Sequence, residues 1–231
     1  MFKVLIIITS LFKFKILDNG DDCNVIMERG SYRRVKDLIS PWFLNKGYTL
    51  KIENVAYDWT KIIFCQSRIV WNGAFYTMVR DWRKVLSQST CGTRHWNDPF
   101  MVRPMCGLLG DCELALSAGV PILQSYALAL RRISAGKRAK LSALDPGVAY
   151  RVGLEGDVDE LIRSAKSRNV TPLARDTFAT VFGVTPWEQL AIESILDKWD
   201  LDSTDARTVP AEWDYRWEDC RSLSVALPEL Y

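Results

Sequence analysis

The chain lacks any uninterrupted apolar stretch near the roughly 18 residues that a membrane-spanning helix needs. An integral helical membrane protein is therefore not indicated. Histidine is nearly absent, with His95 alone. The six cysteines (Cys23, Cys65, Cys91, Cys106, Cys112, Cys220) include no C-x-x-C pair, which argues against a disulfide framework and a zinc ribbon and for a reducing compartment. Cys91, His95, Cys106 and Cys112 offer zinc-ligand types in a spacing that matches no known pattern, so buried thiols and a surface imidazole are the plainer reading. No internal repeat and no low-complexity tract is present.

What is there describes an ordinary globular chain. It has 231 residues, 48% of them hydrophobic and 25% charged, which excludes general disorder. Its length suffices for one large domain or two small ones without staples. The net charge of +2 hides an asymmetry. Residues 1–140 carry 21 Lys and Arg against 11 Asp and Glu, a surplus of 10, whereas residues 141–231 carry 9 against 17, a deficit of 8. A polyanionic partner is expected for the front part only. Met1 to Ile8 has the look of a secretory signal, yet Thr9-Ser10, Lys13 and Lys15 interrupt it and no small-x-small cleavage site follows. A buried helix or strand is the better expectation there.

Period-two alternation over Phe12-Lys13-Phe14-Lys15-Ile16 predicts a strand, and Cys23–Met27 a second one. Asn19-Gly20 between them predicts a two-residue hairpin turn, with Asp18 facing Asp21. Val35, Leu38, Ile39, Trp42 and Phe43 fall at helical spacing, with Pro41 expected to break the helix and Gly47 to end it. Tyr48–Val55, Lys61–Val70 and Phe75–Val79 read as strands, with a tight turn at Asn72-Gly73. Helices are expected over Leu108–Leu116 and Pro121–Ile133. Thr185-Pro186-Trp187-Glu188 is a capping box that opens a helix running to about Trp199. The tail from Asp200 is acidic and tryptophan-rich, and is expected to be irregular. The fold class is α+β, antiparallel sheet first and helices second.

The chemistry concentrates in Asp18-Asn19-Gly20-Asp21-Asp22, three carboxylates in five residues. A solvated acidic turn would explain them. As a calcium loop the segment fails, because Cys23 stands where an EF-hand needs glycine and Arg29 where it needs glutamate. Magnesium suits it better, since that ion takes one or two carboxylates and completes its shell with water and substrate phosphates.

Gly20-Asp21-Asp22 followed by Cys23-Asn24-Val25-Ile26 resembles motif C of viral RNA-dependent RNA polymerases of the tombusvirus-like group. The segments after it are similar to that group in order. Gly47-Tyr48-Thr49-Leu50-Lys51-Ile52-Glu53 resembles motif D, and Phe64-Cys65-Gln66-Ser67 resembles motif E. Met78–Ser87 is similar to the lead into the thumb. Leu109–Cys112, Gly119–Gln124 and Gly183–Leu190 are similar to thumb helices. The resemblance covers about residues 15–195.

This resemblance implies two-metal phosphoryl transfer with Mg²⁺ or Mn²⁺, acting on an RNA template, an RNA product and nucleoside triphosphates. It implies that Asp21 and Asp22 are metal ligands, with Gly20 allowing close approach to RNA. Lys51 would protonate departing pyrophosphate, with Lys46 a rival and a solvated strand lysine the alternative. Cys65, Gln66 and Ser67 would support the primer end, or simply form a strand beneath the palm. Arg80, Arg83 and Lys84 would meet RNA phosphates, or form an ordinary exposed basic run.

Motif A's aspartate and motif B's serine-glycine-asparagine set find no counterpart before Gly20. The resemblance is therefore to a carboxyl-terminal portion: half a palm over residues 1–85 and a thumb with an acidic tail over 86–231. On that expectation the isolated chain is inactive, and its partners include the missing amino-terminal polymerase portion and viral or host replication proteins. Its expected place is the host cytoplasm, at membrane-associated replication complexes. The alternative is a non-catalytic RNA-binding or interaction fragment whose G-D-D turn is a relic.

Overall fold

A computed structural model describes residues 13–20, 22–52, 55–91, 95–96, 98–143 and 158–200. The Met1–Ile8 segment, Asp21 and the acidic tail from residue 201 lie outside the described residues. The chain divides into two units, Met1–Gln66 and Ser67–Tyr231. Both helices and antiparallel strands are present, as the α+β reading requires.

In the first unit, β1 (Phe14–Asn19) pairs antiparallel with β2 (Asp22–Met27). The register sets Asp22 opposite Asn19 and Asp18 opposite Cys23. Asn19 is thus paired within the ladder rather than placed in the turn, and Asp18 faces Cys23. Gly20 sits at φ +72°, the left-handed value that primed hairpin turns need, which suits either turn, so the strand pairing decides the register. The shift relieves the like-charge pair that the Asn-Gly turn would create.

Helix α1 (Tyr32–Asn45) runs through Pro41 instead of breaking there. Proline removes the amide that would serve the Asp37 carbonyl, and Asp37 and Pro41 are both exposed, so water can serve it instead. Gly47, at φ +81°, follows the helix end as expected. Beyond it, residues 48–52 and 55–56 form no strand. A two-residue strand, β3 (Ile63–Phe64), comes next. The expected Lys61–Val70 strand is interrupted by Cys65 and Gln66, at φ 49° and 58°. Two consecutive left-handed residues make a turn, not a strand.

In the second unit, β4 (Ser67–Trp71) pairs antiparallel with β5 (Tyr76–Arg80). The loop between them has four residues, not two, because the Asn72 side-chain oxygen accepts from the amides of Ala74 and Phe75 and so widens the turn. Helices follow: α2 (Trp82–Gln88), α3 (Pro99–Ser117), α4 (Leu123–Ile133), α5 (Val158–Arg163), α6 (Pro172–Phe182) and α7 (Pro186–Lys198). Helix α3 begins nine residues before the expected Leu108, because Asp98 caps it through the Phe100 amide and Pro99 takes the first position. Pro104 lies inside α3, and its own carbonyl accepts from Ala139 at 2.8 Å. The full capping box of Thr185 and Glu188 opens α7.

The larger of two hydrophobic clusters brings together Val70 and Val79 from the strands, Trp82 from α2, Tyr126 and Leu130 from α4, Phe178 from α6, and Ile192 and Leu196 from α7. At its centre lies the turn before α4. Ile122 takes φ 64°, ψ −55°, and the Leu123 amide donates to the Pro121 carbonyl at 2.6 Å, a strained γ-turn for a β-branched residue. The Ile122 amide donates to Glu193 at 2.8 Å, and Arg175 grips both oxygens of that carboxylate at 3.1 and 2.9 Å. Gly119, at φ +84°, lets this turn lie against the β4–β5 loop: a Cβ there would fall 2.0 Å from the Asn72 carbonyl oxygen.

Gly119→Ala is therefore expected to cost about 3 kcal/mol or more, from left-handed strain plus overpacking against backbone that cannot yield. Urea unfolding of the chain measures it, and a loss below about 1 kcal/mol would mean that the contact is slack.

Candidate functional site

The β1–β2 hairpin carries Asp18 and Asp22 at its turn end. Cross-strand partners share a face, so Asn19, Asp22, Leu17 and Asn24 lie on one side, and Asp18 and Cys23 on the other. Gly20 and Asp22 are exposed, and the space around Gly20 is open. Asp18 and Asp22 thus point to opposite faces. Burial, and then the Asp18 carboxylate, push the Cys23 thiol up from its ordinary value.

The face with Asp22 is the one that meets the segment after Thr60. Asn24 donates to the Ile63 carbonyl at 2.9 Å, and Asn19 donates to the Cys65 sulfur at 3.2 Å. Asn19 stands directly across from Asp22. Three of the predicted site residues, Gly20, Asp22 and Cys65, are thereby gathered in one place. Neither asparagine was singled out in the sequence. Their signal is positional: both point to the same face of the hairpin, one beside the turn and one two pairs further on.

Gln66 is exposed and adjoins Cys65 in the left-handed turn. Lys51 is exposed in the irregular stretch 48–52. Lys46 lies over the Trp42 ring, 5.9 Å from its centroid.

The remaining candidates belong to the second unit. Ser67 is buried at the head of β4. Arg80 ends β5 and is ion-paired with Glu113 of α3, which is buried, while its own side chain is half exposed. Arg83 is exposed beside the α2 cap, its guanidinium 4.6 Å from the centroid of the Trp82 ring, and Lys84 is exposed next to it.

Much of the basic surplus in residues 1–140 serves the second unit internally. Arg68 donates to the Val181 carbonyl, Arg103 to that of Ile133, and Arg132 to those of Leu196 and Trp199. Asp111 accepts from Arg131 and Arg138 at 2.7 and 2.6 Å. Asp159 accepts from Arg138 and Arg163 at 2.7 and 2.8 Å, and the Arg138 hydrogen bond is the main cause that holds its carboxyl below the usual range. These arginines fasten α3, α4, α5 and α7, so the charge count overstates the surface left for a polyanion.

Among the described residues no three His, Cys, Asp or Glu side chains cluster closely enough to hold a metal ion. Cys106 and Cys112 are pushed up to about 11, chiefly by burial, which keeps both as thiols at neutral pH. No helix among the described residues is long and apolar enough to cross a membrane.

Comparison with known proteins decides the family. The family model described as viral RNA dependent RNA polymerase matches residues 2–204. The chain belongs to that family. The RNA-directed RNA polymerase of groundnut rosette virus (strain MC1) is 29% identical over 224 residues, which are 94% of this chain and 25% of that protein. That of turnip crinkle virus is 31% identical over 195 residues, 82% of this chain and 24% of the viral protein. The melon necrotic spot virus polymerase is 33% identical over 186 residues, 79% and 23%. The chain thus spans about a quarter of the length of the curated polymerases it matches. No solved structure gives a significant match.

The hydrogen bond between Asn19 and Cys65 is open to a direct test. Asn19→Ala is expected to speed maleimide labelling of Cys65 by about two- to twelvefold, the equivalent of one ordinary hydrogen bond. Cys106 and Cys112 should stay unlabelled at pH 8 until the chain is unfolded. Unchanged Cys65 labelling, read by peptide mass spectrometry, would mean that the bond holds nothing in place.

Proposed function

We propose that this chain is the carboxyl-terminal part of a viral RNA-directed RNA polymerase, comprising part of the palm and the thumb, and that it contributes the Gly20-Asp21-Asp22 hairpin to template-directed nucleotidyl transfer. The observation that carries the proposal is the union of the family match over residues 2–204 with the hairpin register, which sets Gly20 just after β1 and Asp22 at the head of β2.

The composition of the first unit supports a larger whole. Among its described residues Val35 is the one buried hydrophobic side chain, whereas Leu17, Ile26, Leu38, Leu44, Tyr48 and Tyr57 are all exposed. A unit so poor in core is expected to bury that surface against further protein. The remaining polymerase, with the motif A and B functions, would supply it.

The hairpin fits a divalent cation as part of a ligand set. Asp22 is solvent-facing, Asp21 precedes it, and one or two carboxylates are what Mg²⁺ takes from protein when substrate phosphates and water complete its shell. Asp21 and Asp22 would hold Mg²⁺ or Mn²⁺. When bound, such ions stabilise charge on both the attacking and leaving oxygens of an in-line displacement.

The chain's own residues do the rest. Gly20 keeps the turn free of a side chain, so that RNA can approach the carboxylates. Asn19 and Asn24 fix the Asp22 face of the hairpin to the segment containing Cys65, and Cys65, Gln66 and Ser67 support the primer end. In this reading Lys51 gives a proton to departing pyrophosphate, and Arg83 and Lys84, with the exposed half of Arg80, bind RNA phosphates. The setting is the host cytoplasm, at membrane-associated replication complexes.

The test is nucleotide incorporation on an RNA template with Mg²⁺ or Mn²⁺. The 231-residue chain alone is expected to incorporate nothing. Joined to the upstream portion of a related polymerase it should become active, and Asp21→Ala should then lower incorporation at least about 100-fold, as loss of an electrostatic catalytic group does. Incorporation by the chain alone would overturn the proposal of a part that needs its complement. Full activity of the joined Asp21→Ala protein would instead favour a non-catalytic RNA-binding fragment.

A further inference from the structure

The acidic back part of the chain contains a basic island that the catalytic reading does not use. Residues 163–170 run Arg163-Ser164-Ala165-Lys166-Ser167-Arg168-Asn169-Val170, with three cations and no carboxylate. Arg163, Lys166 and Arg168 are all exposed. The β4–β5 loop lies against this segment. Phe75 is 52% exposed and Tyr76 54%, and the Arg168 guanidinium lies 5.5 Å from the centroid of the Phe75 ring. Residues 72–78 likewise contain no acidic side chain.

This arrangement is held in place from below. Buried Gln124 accepts from the Arg168 amide at 2.8 Å and donates to the Arg168 carbonyl at 2.8 Å, while its oxygen also accepts from the Gly119 amide at 2.7 Å. The loop is pinned as well: a Cβ on Gly73 would meet the Asn169 carbonyl oxygen at 3.3 Å, and Trp71 packs edge-on against Tyr76 at 5.2 Å. Arg168 and Phe75 are thus presented by rigid backbone on both sides. An exposed aromatic residue costs solvation, and a cation stacked on it is an arrangement for planar, anionic ligands.

We infer that Phe75, Tyr76, Lys166 and Arg168 form a binding surface for single-stranded RNA, in which a base stacks at Phe75 or Tyr76 and the backbone phosphates meet Lys166 and Arg168. The choice of RNA over another polyanion rests on the polymerase reading; the surface itself is read from its geometry. Base stacking distinguishes it from plain electrostatic attraction, because every base has a π-face while phosphate contacts alone carry only charge.

The experiment is fluorescence anisotropy of a labelled ten-nucleotide single-stranded RNA with the full chain, each variant being checked for an unchanged melting curve. Phe75 is half exposed, so its replacement should leave the fold intact. Phe75→Ala is expected to weaken binding by about five- to 150-fold, the range measured for loss of one stacked base, and Phe75→Trp to retain it. Arg168→Glu should weaken it and flatten the salt dependence. Binding within twofold of the unsubstituted chain for Phe75→Ala, or competition by poly-glutamate as effective as by unlabelled RNA, would overturn the proposal. In the joined polymerase, Phe75→Ala should raise the template concentration needed for half-maximal rate and leave the maximal rate unchanged. Failure of the surface is then distinct from failure of the polymerase reading, which the maximal rate reports.

Discussion

The close passage of Gly119 past the Asn72 carbonyl is the constraint on which the second unit depends. A side chain at that point would sit 2.0 Å from backbone oxygen, so the β4–β5 loop and the turn before α4 can touch only through glycine. The contact then propagates. The same turn carries Ile122 in its strained γ conformation, which the Glu193 carboxylate of α7 holds by the Ile122 amide, and Arg175 of α6 holds Glu193. Strand loop, α4, α6 and α7 are tied at one place. The strain is offset because several buried bonds over-determine it. Gln124, in the first turn of α4, extends the same tie outward to Arg168, which is how a core constraint fixes a surface residue.

The first unit is built on the opposite principle. Its order comes from a hairpin, a helix and a few side-chain bonds, with Val35 the one hydrophobic side chain buried among its described residues. Such a unit is weakly determined by itself and gains definition from what it packs against. That is the physical sense of proposing it as part of a palm: the carboxylates sit at the exposed end of a hairpin, where ligands from elsewhere can complete their shell. Asn19 and Asn24 then matter more than their exposure suggests, since they are the bonds that hold the Asp22 face against Cys65.

Local chemistry was legible wherever one residue type dictates one geometry. The Thr185–Glu188 capping box opens α7 at Pro186, and Gly47 follows α1 in the left-handed region. The hairpin was legible as a hairpin, but its register was not. Asn-Gly and Gly-Asp both satisfy a primed turn, and pairing outside the turn decides between them. Pro41 reads as a break, yet it lies within a helix, because a lost helical bond costs little where the orphaned carbonyl reaches water. Charge was legible only in part: Arg68, Arg103, Arg131, Arg132 and Arg138 serve carbonyls and carboxylates inside the second unit, which the count alone does not show. The surface at Phe75 and Arg168 was invisible for the converse reason, since its members are 93 residues apart in the chain and meet only through Gln124 and Gly73.

The central claim, that the Gly20-Asp21-Asp22 hairpin is the metal-binding element, is tested most directly by titrating Mn²⁺ into the ¹⁵N-labelled chain and mapping paramagnetic broadening. The account predicts broadening centred on the amides of Asn19 to Cys23, and its removal by Asp21→Ala with Asp22→Asn. Broadening centred on the Asp111–Asp159 network, or at the hairpin but indifferent to those substitutions, would contradict it.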